Sequence, residues 1–129
     1  MKKLLFLFGV ILGVSCNQQH AGAQTSLTPN EFEAKMQGSS EGQILDVRTP
    51  EEFKEGHLKG AVNINYYDDD FAQQAAKLDK NKPVFVYCAM GGRSASAAGQ
   101  MAKSGFTSIF DLKGGITAWK KAGKPVVTE

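Results

Sequence analysis

The sequence predicts an α/β domain, with a central, mostly parallel sheet flanked by helices on both faces. Strand-like and helix-like runs alternate along the chain from Thr28 onward. The strand-like runs lie too far apart for hairpins, which leaves parallel strands joined by crossovers. Capping and turn residues stand at the borders where such units need them.

The first helix opens at Thr28-Pro29-Asn30-Glu31. Thr at the N-cap, Pro at the first helical position and Glu two residues further on form a capping box. Phe32 and Met36 then share one face, and Gly38 ends the helix. Ile44-Leu45-Asp46-Val47 reads as a short buried strand. Thr49-Pro50-Glu51-Glu52 repeats the cap and starts a brief helix through Phe53, closed near Gly56. Residues 61–65 alternate as a strand. Asp68-Asp69-Asp70 puts negative charge at the start of a helix running to about Leu78, where it suits the macrodipole. After a turn over 79–82, Pro83 opens the apolar strand Val84-Phe85-Val86-Tyr87. A helix is expected over 95–103, a strand over 108–110 and a last short helix over 116–121.

Met1-Lys2-Lys3 is basic, residues 4–14 are uncharged and mostly apolar, and Ser15 and Cys16 follow. This run falls short of the roughly 20 apolar residues a membrane-spanning helix needs, and it has the length and flanks of a secretory signal. A cysteine directly after the expected cleavage point resembles the lipobox of bacterial lipoproteins, with Gly13 where leucine is usual. The resemblance implies a signal peptide over 1–15, lipidation of Cys16, a polar tether over 16–26 and a folded domain over 27–129. The protein would then sit in the bacterial cell envelope, periplasmic or on the outer-membrane face, reaching the membrane through its lipid anchor. Ordinary secretion and an uncleaved anchor are the other readings.

Removal of residues 1–15 leaves 114 residues, enough for one domain with its own core. Lys2 and Lys3 leave with the signal, so thirteen basic residues meet thirteen acidic ones. A net charge near zero offers nothing for nucleic acid, and a monomer is expected. With Cys16 lipidated, Cys88 is the only thiol left. No internal disulfide can form, and a leftover exported thiol is a candidate reactive site.

Cys88 ends the apolar strand and is followed by Ala89-Met90-Gly91-Gly92-Arg93-Ser94 and a small-residue helix. A glycine turn can aim backbone N–H groups inward, a helix N-terminus adds a positive field, and Arg93 adds a full charge. Each favours thiolate over thiol, and the thiolate is the nucleophile. In open α/β sheets ligands sit outside the carboxyl ends of the strands, where both Cys88 and the Asp46-Val47-Arg48 turn fall.

At this point the chain resembles the rhodanese domain. Asp46-Val47-Arg48-Thr49-Pro50-Glu51-Glu52-Phe53, then Gly56-His57-Leu58-Lys59-Gly60-Ala61-Val62-Asn63-Ile64, is similar to its first signature. Cys88 to Ser94 resembles its active-site loop, with the pattern Cys-x-x-Gly-x-Arg. Gly114-Gly115-Ile116-Thr117-Ala118-Trp119 resembles its C-terminal signature. The resemblance implies a rhodanese-like three-layer domain with a five-stranded sheet. It also implies a sulfurtransferase that moves sulfane sulfur from thiosulfate, polysulfide or a persulfide. Cys88 would carry the sulfur as a persulfide and pass it to cyanide or a thiol, a thiol-bearing protein included. No cofactor is expected. Cys88 and Arg93 are the catalytic candidates. Ala89, Met90, Gly91, Gly92 and Ser94 are candidates for holding the substrate anion, with Asp46 and Arg48 as supports of the loop.

Arg93 either binds donor oxyanions or braces the loop. Asp46 and Arg48 have a plainer reading as an ion-pair and capping network with Glu51 or Glu52. His57 is expected to make a structural hydrogen bond. His20 and His57 with one free cysteine make a poor metal set. Trp119 is expected in the core. A persulfide carrier or sulfide-responsive binding module shares every site residue with the enzyme. A cysteine-loop phosphatase or arsenate reductase would use the same nucleophile. Those relatives, however, place five residues between Cys and Arg, not the four seen here, and this loop has no acid for a leaving group.

Overall fold

The computed structural model describes residues 23–128; the expected signal segment, Cys16 and most of the tether lie outside the described residues. Strands and helices alternate: β1 (Gln24–Leu27), α1 (Pro29–Gln37), β2 (Gln43–Asp46), α2 (Pro50–Glu55), β3 (Val62–Asn63), α3 (Phe71–Ala75), β4 (Val84–Tyr87), α4 (Gly92–Lys103), β5 (Ile109–Leu112) and α5 (Gly115–Lys121). The five strands form one parallel sheet in the order β1-β5-β4-β2-β3.

Both expected capping boxes are present, with Thr28 facing Glu31 and Thr49 facing Glu52. Along β4, alternate side chains serve opposite faces, as strand geometry requires. Val84 and Val86 join Phe71, Ala75, Ala97, Ala98, Met101 and Ile109 on the α3–α4 side. Phe85 and Tyr87 join Phe32, Leu112, Ile116 and Trp119 on the α1–α5 side. Phe32 lies edge-on to Phe85, their ring centroids 5.5 Å apart. The sheet is therefore the middle of three layers, and β4 is buried on both faces.

The tether was expected to run through Ser26, but Gln24 to Ser26 belong to β1 and pair with Ile109 to Asp111 of β5. Gln-Thr-Ser carries no apolar alternation because β1 is an edge strand with largely exposed side chains. Helix α3 is also shorter than expected. Asp68 and Asp70 accept hydrogen bonds from the Gln74 amide instead of capping the helix, and the helix proper begins at Phe71. Helix α4 begins earlier than expected, at Gly92, which brings its first turn to the cysteine.

Candidate active site

Cys88 follows the last residue of β4 and is 1 % exposed. Gly91 stands at the N-cap of α4 with φ of 111°, a left-handed conformation that glycine adopts without strain. This turn brings the Gly91 N–H to 3.1 Å from the Cys88 sulfur. The thiol in turn donates to Ser94 Oγ at 3.4 Å, and the Ser94 hydroxyl donates to the Gly91 carbonyl at 3.2 Å. Gly92, Arg93 and Ser94 are the first three residues of α4, so their amides have no acceptor within the helix. The sulfur thus lies under a loop whose backbone donors suit an anion. Met90, within the loop, is 76 % exposed.

The loop is held from behind by α5. Ile116 N–H donates to the Cys88 carbonyl at 2.9 Å, and Thr117 N–H to the Ala89 carbonyl at 3.1 Å. Gly115 has φ of 62°, and a Cβ there would meet the Cys88 and Ala89 carbonyls at 2.5 Å. Only glycine permits this approach, which explains the expected Gly114-Gly115 signature.

Arg93 forms a two-pronged ion pair with Glu52 of α2, at 2.8 and 3.0 Å, and lies over the exposed Tyr67 ring. The Arg93 hydrogen bonds hold the Glu52 carboxyl down at about 2 against an ordinary 4.5, and Glu52 in turn raises the Arg93 pKa. Of the two roles open to Arg93, this geometry is that of a brace.

Asp46 and Arg48, expected as supports of the loop, make no hydrogen bond to residues 89–94 among the described residues and are bonded elsewhere. Arg48 Nη2 bonds Asp46 Oδ2 at 2.7 Å and the Gly56 carbonyl at 2.7 Å, and both residues are buried. Burial opposes the Arg48 charge, but Asp46 outweighs it and the Arg48 pKa rises. Asp46 and Arg48 pair with each other and not with Glu51 or Glu52, because Glu52 is taken by Arg93 and its own cap. The pair supports Tyr87, whose hydroxyl accepts from Leu58 N–H at 3.0 Å; burial, reinforced by Asp46, pushes the Tyr87 pKa up. His57 has its expected structural place, buried, with Nδ1 2.9 Å from the Phe53 carbonyl and its ring stacked on Phe53.

A cleft of about 480 Å³ lies at the other end of the sheet, between α1 and the starts of β4 and β5, and does not include Cys88.

Residues 28–122 match the profile of the rhodanese-like domain family. The chain belongs to that family. This rhodanese domain is 40 % identical over 94 residues to the uncharacterized protein YqhL of Bacillus subtilis, covering 73 % of this chain and 71 % of that protein. It is 40 % identical over 91 residues to thiosulfate sulfurtransferase 16, chloroplastic, of Arabidopsis thaliana, covering 63 % and 76 % respectively. Among solved structures, a rhodanese-related protein of Thermoplasma volcanium superposes with a TM-score of 0.71 at 31 % identity, covering 81 % of this chain and 98 % of that one. The rhodanese family is a sulfurtransferase family, and the expected three-layer fold with five parallel strands is the one observed.

Two placements around this rhodanese domain's sheet escaped the sequence reading. Glu52 was recognised as a cap but not as the partner of Arg93. Asp111 lies in β5, one residue past the expected end of that strand, and is buried on the Cys88 side of the sheet. Its signal was a lone acid inside Ile109-Phe110-Asp111-Leu112.

Proposed function

We propose that this chain is a sulfurtransferase of the thiosulfate type that works through a persulfide on Cys88. The observation that carries the reading is the Gly91 N–H directed at the Cys88 sulfur at the open first turn of α4. In the first half-reaction the Cys88 thiolate attacks the outer sulfur of thiosulfate. The S–S bond of the donor breaks, its electron pair leaves with sulfite, and a new S–S bond joins the sulfur to Cys88. In the second, cyanide or a thiolate attacks that outer sulfur, and the electron pair of the broken S–S bond returns to Cys88. The loop amides stabilise negative charge on sulfur in both states, as they would any anion. Four residues between Cys88 and Arg93 make a small cradle, which favours a sulfur atom over a tetrahedral oxyanion.

The test is the intact mass of the full chain carrying Cys16→Ser, so that Cys88 is the only thiol. Thiosulfate is expected to add one sulfur atom, and cyanide or dithiothreitol to remove it. Cys88→Ala is expected to abolish the adduct. A parent chain that never gains sulfur from thiosulfate or polysulfide overturns the reading. The basic start, the short apolar run and Cys16 further support export of this activity to the cell envelope on a lipid anchor.

A further inference from the structure

The charges of the domain nearly cancel, but the two signs collect at different ends. In a parallel sheet each crossover helix runs back toward the start of the next strand. The first turns of α2, α3 and α4 therefore lie at the Cys88 end, and the last turns of α1, α3 and α4 at the end where strands begin. Acids gather at the Cys88 end, with Glu51 and Glu52 in the first turn of α2 and the exposed Asp68, Asp69 and Asp70 before α3. Arg93, at this end too, is paired with Glu52. Lysines gather at the other end. Lys35 is in the last turn of α1 and Lys103 in the last turn of α4, where bases suit the macrodipole. Lys80 and Lys82 belong to the turn that leads into β4.

These positions adjoin. The Thr107 N–H donates to the Lys80 carbonyl at 3.0 Å and the Lys80 ammonium lies 6.0 Å from the Phe106 ring centre, which ties the β4 turn to the end of α4. Lys35 shares the cleft at this end with Pro83 and Ser108, and its ammonium lies 5.3 Å from the Phe110 ring centre. Among the described residues, the turns before β2, β4 and β5 carry two carboxylates. One is Asp79, which holds Lys82 at 3.8 Å, and the other is the exposed Glu41. The chain also enters the domain here, where the Ala23 carbonyl accepts from the Ile109 N–H at the start of β5. Cys16 lies seven residues before Ala23, at most about 25 Å of extended chain. A lipid on Cys16 therefore holds the lysine end close to a bilayer, and charge then decides how the domain lies. Anionic headgroups attract lysines and repel carboxylates over a Debye length, roughly 8 Å at physiological salt.

We propose that the lysine end of the sheet, built on Lys35, Lys80, Lys82 and Lys103, docks on an anionic phospholipid surface and leaves the Cys88 end facing away from it. The choice of a membrane over another polyanion rests on the proposed export and lipid anchor, and the sulfur chemistry is not needed for it. A lipid chain and a basic patch are two signals that together give stable attachment where one alone is marginal.

The test is sedimentation of the full chain carrying Cys16→Ser with vesicles of phosphatidylglycerol and phosphatidylcholine in equal parts, against phosphatidylcholine alone. Residues 1–15 are common to the parent and every variant, so differences between them report the folded domain. The triple variant Lys35→Gln, Lys80→Gln, Lys103→Gln is expected to bind the anionic vesicles roughly a hundredfold more weakly, at about fivefold per lysine, and phosphatidylcholine as the parent does. Glu41→Gln removes an exposed carboxylate from the same end and is expected to bind the anionic vesicles about fivefold more tightly. That variant decides the matter if the triple variant does not fold. Cys88 alkylation by iodoacetamide is expected to keep its rate when the parent is bound to vesicles. Parental affinity in Glu41→Gln, parental affinity in a folded triple variant, or slower alkylation on vesicles each overturn the proposal. Lysine-dependent binding to duplex DNA with none to vesicles gives the patch to nucleic acid and overturns it as well. Vesicle binding does not read sulfur transfer or lipidation, so failure here is distinct from failure of the intact-mass test or of the anchor.

Discussion

Glu52 serves two elements at once. Its Oε1 accepts from the Thr49 amide and hydroxyl as part of the α2 cap, and both its oxygens hold Arg93. Because Glu52 titrates at about 2 in the folded chain against an ordinary 4.5, the pair contributes fully above about 4.5. That contribution is lost as pH falls toward about 2. Glu52→Gln is therefore expected to lower stability by about 1 kcal/mol at neutral pH, with the difference closing at acid pH, measured by urea unfolding. With both terminal nitrogens on Glu52, Arg93→Ala is expected to slow loading about tenfold, one decade of transition-state energy, for thiosulfate and an uncharged persulfide alike. Selective slowing with thiosulfate would instead make Arg93 a donor-binding residue. The turn that brings the Gly91 N–H to Cys88 was legible in the sequence because it forms between near neighbours, whereas the role of Arg93 was left open there. Glu52 and Asp111 were not legible, since nothing local announces a partner 41 residues away or the side of the sheet that one acid faces.

Among elements, α5 and the active-site loop act as one unit. The α5 amides hold the Cys88 and Ala89 carbonyls, and Gly115 lets the two backbones touch. Gly115→Ala adds a Cβ into those carbonyls at a left-handed φ. A cost of about 2–4 kcal/mol is expected, with slower sulfur loading, read by urea midpoint and intact mass. A variant of parental stability and rate would show that the contact is dispensable. Helices α1 and α2 were readable because Thr-Pro-x-Glu is a local device whose atoms satisfy one another. Strand β1 was not, because an edge strand needs only backbone pairing, and Gln24-Thr25-Ser26 supplies it with polar side chains. The acidic run before α3 misled for a related reason: local charge favours a helix start, but the Gln74 amide claims two of those carboxylates.

For the whole molecule, one sheet with β4 at its centre explains why a cysteine at the end of β4 is both buried and positioned for chemistry. The alternation of strands and helices was sufficient to infer a parallel sheet covered by helices on both faces. The strand order was not, because pairing between distant segments leaves no local pattern. The proposed lipid anchor is tested by fractionation of cells. Cys16→Ser is expected to move the protein from the detergent phase to a soluble envelope fraction, or to block processing. Unchanged partitioning into detergent would remove the lipid anchor from the proposal. The parallel run of β1 beside β5 has a further result. The chain enters the domain at the end of the sheet where strands begin, and Cys88 sits where they finish, roughly 13 Å further along for a strand of this length. The site and the point of entry of the chain into the sheet therefore lie at opposite ends of the strands.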